Sequence, residues 1–230
     1  MESEKIKIIS VGGSIIIPKT GFEVEFLKKF RQLILAEVKK GYKFVLVIGG
    51  GGTCRAYQAV AKAVAGLSEM DLDWLGIYAT RFNAEFVRLL FGDLAYEEVI
   101  KNPTKKIKTS RPIILAGGWQ PGCSTDRDAV LLAKNFGAKE IINLSNFDFV
   151  YSADPKKDPR AKPYKKLSWV ETRKIVGEKW HPGANLPFDP LAAKEAHKLG
   201  LRVSFVRGTD LKEVQKAIES KGFQGTIVQN

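Results

Sequence analysis

Three glycine-rich turns hold the chemistry that this chain states most openly: Val11-Gly12-Gly13-Ser14, Gly49-Gly50-Gly51-Gly52 and Ala116-Gly117-Gly118-Trp119. Glycine lets the backbone turn sharply and bring bare N–H groups against a ligand. Where such a turn opens a helix, the positive end of the helix dipole adds to the attraction for phosphate. A single loop of this kind is an ordinary strand-end turn. Three of them, each closing an apolar run, point to a cradle for two phosphorylated ligands facing each other. No G-x-x-x-x-G-K-[ST] is present, nor a G-x-G-x-x-G with an acidic residue at the right distance, so neither a Walker P-loop enzyme nor a Rossmann dehydrogenase fits. His181 and His197 are the only histidines, and neither lies in a nucleophile motif; both read as structural or surface residues. No metal-ligand cluster is seen.

The turns must be held by strands and helices, and the apolar pattern supplies them. Residues 5–11 alternate like a first strand, whereas 42–48 (YKFVLVI) and 112–116 (PIILA) are runs of strand length buried on both faces. Residues 140–144, 202–206 and 225–228 add further strands, and 146–152 alternates like a strand or hairpin arm before a turn-rich stretch at 153–163. Helical spacing covers 22–39, the residues after Gly52, 72–92, 126–136, 168–176, 189–199 and 210–220, with a short strand or turn around Tyr96–Ile100. This alternation predicts an α/β fold, a mostly parallel central sheet with helices on both faces. Ligands of such sheets bind beyond the carboxyl ends of the strands, where all three turns fall.

The chain has 230 residues, 44% hydrophobic and 27% charged, with a formal net charge of +12. No composition break divides it, so one domain over 1–230 is expected. No apolar run approaches the roughly 20 residues of a membrane helix, and the N-terminus lacks a secretory pattern, so a cytoplasmic location and no membrane partner are expected. Cys54 and Cys123 are expected to be free thiols. The basic clusters 101–111 and 156–166 lack the interleaved aromatics of a base-stacking platform. The first reads as a solvated loop; the second competes as a phosphate-steering segment. Nucleic-acid binding ranks last among the roles the charge allows.

The turns and the segments after them resemble the amino acid kinase fold family, and within it the archaeal-type uridylate (UMP) kinases. The likeness runs from Val11 to Ile227 and is most specific in Asp73-Trp74-Leu75-Gly76-Ile77-Tyr78-Ala79-Thr80-Arg81-Phe82-Asn83-Ala84, Pro121-Gly122-Cys123-Ser124-Thr125-Asp126, Val150-Tyr151-Ser152-Ala153-Asp154-Pro155 and Phe188-Asp189-Pro190-Leu191-Ala192-Ala193-Lys194. The resemblance implies a three-layer α/β sandwich and transfer of a phosphoryl group from ATP to UMP. It implies that Gly12, Gly13 and Ser14 hold the donor's phosphates, that Gly50 touches the UMP phosphate and Gly51 the ATP, and that Arg55 forks onto phosphate oxygens. Asp73 would bind the UMP ribose hydroxyls. Trp119, Gln120, Pro121, Gly122, Cys123, Ser124 and Thr125 would wrap the UMP, while Ser145, Asn146, Tyr151 and Asp154 would line the ATP base and ribose. Mg²⁺ would be held mainly by the nucleotide phosphates, with no dedicated protein metal site, and the chain would form a homo-oligomer, a hexamer built from dimers.

An acceptor that is already a phosphate, with a second pKa of roughly 6, needs no general base, so the lack of a catalytic histidine is no obstacle. Asp126 is the foremost candidate for a catalytic carboxylate, organising basic groups or metal-bound water; an Asp there would also serve as a helix N-cap. Three departures from the family pattern stand out. Ser10 occupies a position where many relatives have lysine, leaving Arg55, Arg127 or Lys162 to supply charge. Trp119 replaces a threonine, and Phe149 a glycine, which bears on the adenine pocket. The alternatives are a sister kinase acting on another small phosphate or carboxylate, and a non-catalytic anion-binding or storage protein of the same fold.

Overall fold

The computed structural model describes residues 5–179 and 186–230; His181 lies outside them. In chain order the strands are β1 (Lys5–Val11), β2 (Tyr42–Ile48), β3 (Ile113–Ala116), β4 (Glu140–Ser145), β5 (Val150–Tyr151), β6 (Pro163–Tyr164), β7 (Lys166–Leu167), β8 (Arg202–Arg207) and β9 (Gly225–Val228). The helices are α1 (Gly13–Ile16), α2 (Val24–Lys39), α3 (Gly51–Ala65), α4 (Glu69–Phe91), α5 (Thr125–Phe136), α6 (Trp169–Val176), α7 (Pro190–Lys198) and α8 (Leu211–Ile218). Seven strands form one sheet in the order β3-β2-β1-β4-β8-β9-β7, parallel throughout except for the β8–β9 pair.

Successive side chains on a strand point to opposite faces, and both faces here are apolar. Ile8, Val45, Val47, Ile114, Ile141 and Val203 pack beneath α5, α6 and α7. Ile9, Val11, Leu46, Ile48, Leu115 and Leu144 pack against α2, α4 and α8. This is the three-layer arrangement the alternation predicts. Local chemistry sets the helix starts: Ser168 and Glu171 form a capping box at α6, and Asp189 caps α7 with Pro190 at its first position.

The differences are local. The segment 146–152 pairs only through β5, in a two-residue antiparallel hairpin with β6. Of the two alternatives for Tyr96–Ile100 it is the turn that forms, with single bridges from Ala95 to Ile113 and from Ile100 to Ala116. The long helix starts earlier than residue 72, because Ser68 accepts from the Asp71 N–H. Edge strand β7 had no sequence signal, being two residues long.

Candidate active site

β3, β2 and β1 are neighbours and parallel, so their three glycine turns emerge side by side at one end of the sheet. The first two interlock. A Cβ on Gly13 would lie 2.0 Å from the Gly51 nitrogen, and one on Gly51 would lie 2.4 Å from the Gly13 oxygen. Gly51 also has φ of +60°, a conformation that side chains disfavour. The Gly52 N–H donates to Ile17 O at 2.8 Å, and Gly49 N–H to Val11 O at 3.0 Å. From α4 the buried Asn83 amide donates to Gly49 O at 3.0 Å and Gly50 O at 2.9 Å. Gly12 and Gly50 stand at the N-caps of α1 and α3, so the opening N–H groups of both helices gather at the junction, with that of Ile15 taken by Gly12 O and that of Gly52 by Ile17 O. Arg55, in the first turns of α3, donates to Ser14 Oγ at 3.2 Å and ties the second turn to the first.

The third turn is built differently from the first two. Gly118 N–H is already engaged by Thr80 Oγ1 at 2.7 Å, and Arg81 donates to Gly118 O at 2.9 Å and Trp119 O at 2.8 Å. Helix α5 begins only at Thr125, after the loop 119–124. Asp73 accepts from Gly122 N–H at 3.1 Å, so the residue expected to meet a ribose does stand against the loop expected to wrap the same nucleotide. Trp119 N–H donates to Asp128 at 3.2 Å, and the Cys123 thiol donates to the same carboxylate at 3.2 Å. Burial, then Asp128, pushes the Cys123 thiol up, and burial lifts Asp128 to about 7 against the pull of those donors. Cys123 is buried, so its side chain is turned into the protein and only its backbone can reach a ligand; Gln120 is exposed, and Pro121, Ser124 and Thr125 are half-buried. Cys54 and Cys123 are free thiols.

Asp126 lies at the centre of the arrangement. Ser10 Oγ donates to its Oδ1 at 3.2 Å, Asn143 Nδ2 to the same oxygen at 2.9 Å, and Asp189 N–H to Oδ2 at 3.3 Å. The residue keeps some accessible surface, but its carboxylate is closely surrounded by protein. That burial, reinforced by the charge of Asp189, raises it to about 7, with the bonds from Ser10, the Asp189 N–H and Asn143 pulling the other way. The helix cap is Ser124, whose hydroxyl accepts from Arg127 N–H at 3.3 Å. Asp126 is therefore not the cap, and its carboxylate belongs to the cluster between β1, β4 and α7. Of the three basic residues considered as substitutes for a lysine at position 10, only Arg55 reaches a glycine turn. Arg127 lines a groove with Arg173, Lys194 and His197, and Lys162 is exposed beside the β5–β6 hairpin.

On the other side of β1 the expected base and ribose residues are spread over strand ends and loops. Ser145, at the end of β4, turns its hydroxyl onto Phe147 O at 3.2 Å. Asn146 is exposed, Tyr151 lies in β5, and Asp154 accepts from Lys156 N–H at 3.0 Å within a turn. Arg207 forks onto Asp148, 2.8 Å for one arm, which holds that carboxyl below its usual range. Phe149 lines a groove of about 700 Å³ with Lys166, Arg202, Lys216 and Phe223 at the β8–β9 side of the sheet. Ser145, Asn146, Tyr151 and Asp154 are not among its lining residues. Thr80, Arg81 and Asn83 had a sequence signal, lying within a stretch that carries the family likeness, but no role was read for them. Asp189 had the same kind of signal. Asn143 and Asp128 had none beyond being polar within apolar patterns.

A parallel sheet with two interlocked glycine turns, a third beside them and a buried carboxylate next to the junction defines a phosphate-handling α/β protein. Residues 5–207 match the model of the amino acid kinase family. The chain is 34% identical to the uridylate kinase of Methanocorpusculum labreanum, covering 97% of this chain and 95% of that one, and 33% identical to the uridylate kinase of Pyrococcus abyssi, covering 96% and 98%. The crystal structure of uridylate kinase from Archaeoglobus fulgidus superposes with a TM-score of 0.82 at 31% identity, covering 96% of this chain and 99% of that one. UMP kinase from Bacillus anthracis, 21% identical with a TM-score of 0.78 over 98% of this chain and 96% of its own, shares the fold. The chain belongs to the amino acid kinase family and, within it, to the uridylate kinases.

Proposed function

We propose that this chain is an ATP-dependent UMP kinase, moving the γ-phosphoryl group of ATP to UMP to give UDP and ADP. The observation that carries this reading is the interlock of Gly13 with Gly51, bridged by Arg55 and Ser14. It sets two helix openings against each other, so two phosphate groups held there lie side by side. Phosphoryl transfer needs mainly positioning and charge stabilisation, and a UMP phosphate is its own nucleophile.

In this assignment Gly12, Gly13, Ser14 and Gly51 hold the donor phosphates, and Gly50 and Arg55 the acceptor phosphate. Asp73 keeps one carboxylate oxygen on Gly122 N–H and offers the other to the ribose diol. The loop Trp119–Thr125 encloses the uridine, its hydroxyls from Ser124 and Thr125, while Ser145, Asn146, Tyr151 and Asp154 shape the adenosine side. Both sites lie on one domain. Mg²⁺ arriving with ATP would supply positive charge to the migrating phosphoryl oxygens; Asp126 and Asp189 are the carboxylates suited to it, since Asp189 Oδ2 is buried without a partner and hard cations favour such oxygens.

A homo-oligomer accords with the exposed apolar side chains of α3 and α4, among them Tyr57, Val60, Val64, Tyr78, Phe82 and Leu89. Phe82 and Leu89 are 70% and 63% exposed, whereas Phe91 is core, and Phe86 and Leu90 are half-buried. The interface side of α4 is thus narrower than its apolar sequence suggests, and a hexamer would use it between paired copies. Among the described residues no helix is long and apolar enough to cross a membrane, and free thiols suit a cytoplasmic location.

The test is ADP release from Mg-ATP with UMP, CMP, dUMP, acetylglutamate and isopentenyl phosphate as acceptors. Turnover confined to uridine and closely related monophosphates is expected. Preference for acetylglutamate or isopentenyl phosphate would replace the substrate assignment.

A further inference from the structure

Loop 119–124 is fastened at both ends to one buried carboxylate. Asp128 lies one turn inside α5 and is 0% exposed. Its Oδ2 accepts from the Trp119 N–H at 3.2 Å, where the loop leaves the third glycine turn. Its Oδ1 accepts from the Cys123 thiol at 3.2 Å, where the loop meets the cap of α5. The Asp128 N–H in turn donates to Ser124 O at 3.1 Å. The helix itself is firmly placed, since Ala129, Val130, Leu132 and Ala133 are buried in the core. Trp119 is held on its other side too, its carbonyl accepting from Arg81 at 2.8 Å. Between these ends Gln120 is exposed, and Gly122 has a φ of +72° that side chains disfavour.

Stability alone does not account for an aspartate in this place. Taking a carboxylate out of water is costly unless a charge pairs with it. Among the described residues no lysine or arginine hydrogen-bonds or ion-pairs with Asp128; Arg127 on its own helix and Arg81 on α4 act on it only through their fields. An apolar side chain would pack on the core without that cost. What a carboxylate adds is two acceptor oxygens, here taking one donor from each end of the loop. The closed form of the loop is then present before any ligand arrives, and binding does not have to order it.

We propose that Asp128 is a positioning residue for acceptor binding: it holds the two ends of loop 119–124 together and so preforms the enclosure assigned above to uridine. The naming of the acceptor rests on the kinase reading; the preforming of the loop does not. Asp128 touches no substrate in this arrangement. It sets the fraction of chains whose loop is ready, and the apparent Kd for the acceptor rises as that fraction falls.

The experiment compares the full-length parent protein with Asp128→Leu, which has nearly the same shape and no acceptor, with Asp128→Asn and with Cys123→Ala. Without nucleotide, amide hydrogen exchange of the loop peptide and alkylation of Cys123 by iodoacetamide, both followed by mass spectrometry, read the loop itself. In Asp128→Leu both rates should rise about tenfold or more, as for a segment that has lost its local fastening. Asp128→Asn keeps an acceptor for the Trp119 N–H and should stay within about threefold of the parent. With nucleotides, Asp128→Leu should raise the KM for UMP about tenfold, the scale of one hydrogen bond to a charged group, while kcat and the KM for ATP stay within about twofold. Cys123→Ala should raise the KM for UMP about threefold in the parent and add nothing in Asp128→Leu, where the bond it removes is already gone. Circular dichroism establishes that each variant is folded. Loop exchange equal to the parent's in folded Asp128→Leu, or in Cys123→Ala should Asp128→Leu not fold, would overturn the inference, as would kcat and both KM values disturbed alike. An acceptor panel that rejects UMP, with the loop opened in Asp128→Leu, would replace the substrate and leave the positioning role standing.

Discussion

The carboxyl edge of the sheet has two unlike halves. Along β1, β2 and β3 every turn is fastened: Gly13 against Gly51, Asn83 on two turn carbonyls, and Thr80 and Arg81 on the third turn. Beyond the glycine turns the residues expected to line the nucleotide base are spread over the end of β4 (Ser145), loops (Asn146 and Asp154) and the two-residue strand β5 (Tyr151). The geometry of the first half, proposed above to seat the phosphates, is set by backbone contact. The second is held by side chains instead: Arg207 on Asp148, Thr226 Oγ1 on the Val150 N–H, and Ser152 Oγ on the Lys162 N–H across the hairpin. Backbone packing thus sets the glycine turns, and side-chain bonds set the second half.

Breaking the fastened half should have the largest consequences. Gly13→Ala would force a methyl group into the Gly51 backbone, which cannot yield as a flexible side chain could. A loss of about 4 kcal/mol or more of stability is expected, read by thermal or denaturant unfolding, together with loss of activity. Next, Asp126→Asn retains the shape of the side chain and removes its charge. A fall in kcat of about 100-fold or more is expected, with UMP affinity nearly unchanged, as for a group that acts on the developing charge. An unchanged kcat would reduce Asp126 to a structural residue. Asp73→Ala should raise the KM for UMP about tenfold and leave the KM for ATP alone, the loss of about one charge-assisted hydrogen bond. Equal effects on both substrates would remove the ribose assignment. The smallest effect belongs to the second half. Phe149→Gly should change the KM for ATP less than about threefold, because a side chain away from the site perturbs it by a few tenths of a kcal/mol. A larger rise would place the Phe149 ring in the adenine pocket instead of the groove beside Phe223.

The sequence made the fold legible because its signals are periodic. The run YKFVLVI and the segment EIINL each became strands buried on both faces, and Gly41 and Gly137 lie where α2 and α5 stop. The placement of Asp73 against the 119–124 loop was also readable, through the family likeness. What stayed hidden depends on contacts across the fold. That Gly13 and Gly51 touch follows from strand register, which no local pattern contains. Whether Ser124 or Asp126 caps α5 is decided by where each side chain points, and both are competent caps. Asn143 sits in an apolar strand and Asp128 in an amphipathic helix; each gains meaning only from the neighbour that the sheet order brings to it. The alternation in NFDFVYS mimics a strand along its whole length, while only Val150 and Tyr151 pair as one.

The most direct test follows the phosphoryl group itself. ATP labelled in its γ-phosphate is mixed with UMP, Mg²⁺ and an excess of protein, quenched within a single turnover, and its products are separated. Label recovered in UDP, with Asp126→Asn slowing its appearance, is the expected result. Label that stays in ATP or passes only to inorganic phosphate, while both nucleotides bind, would contradict the account and leave the interlocked turns as an anion cradle without transfer.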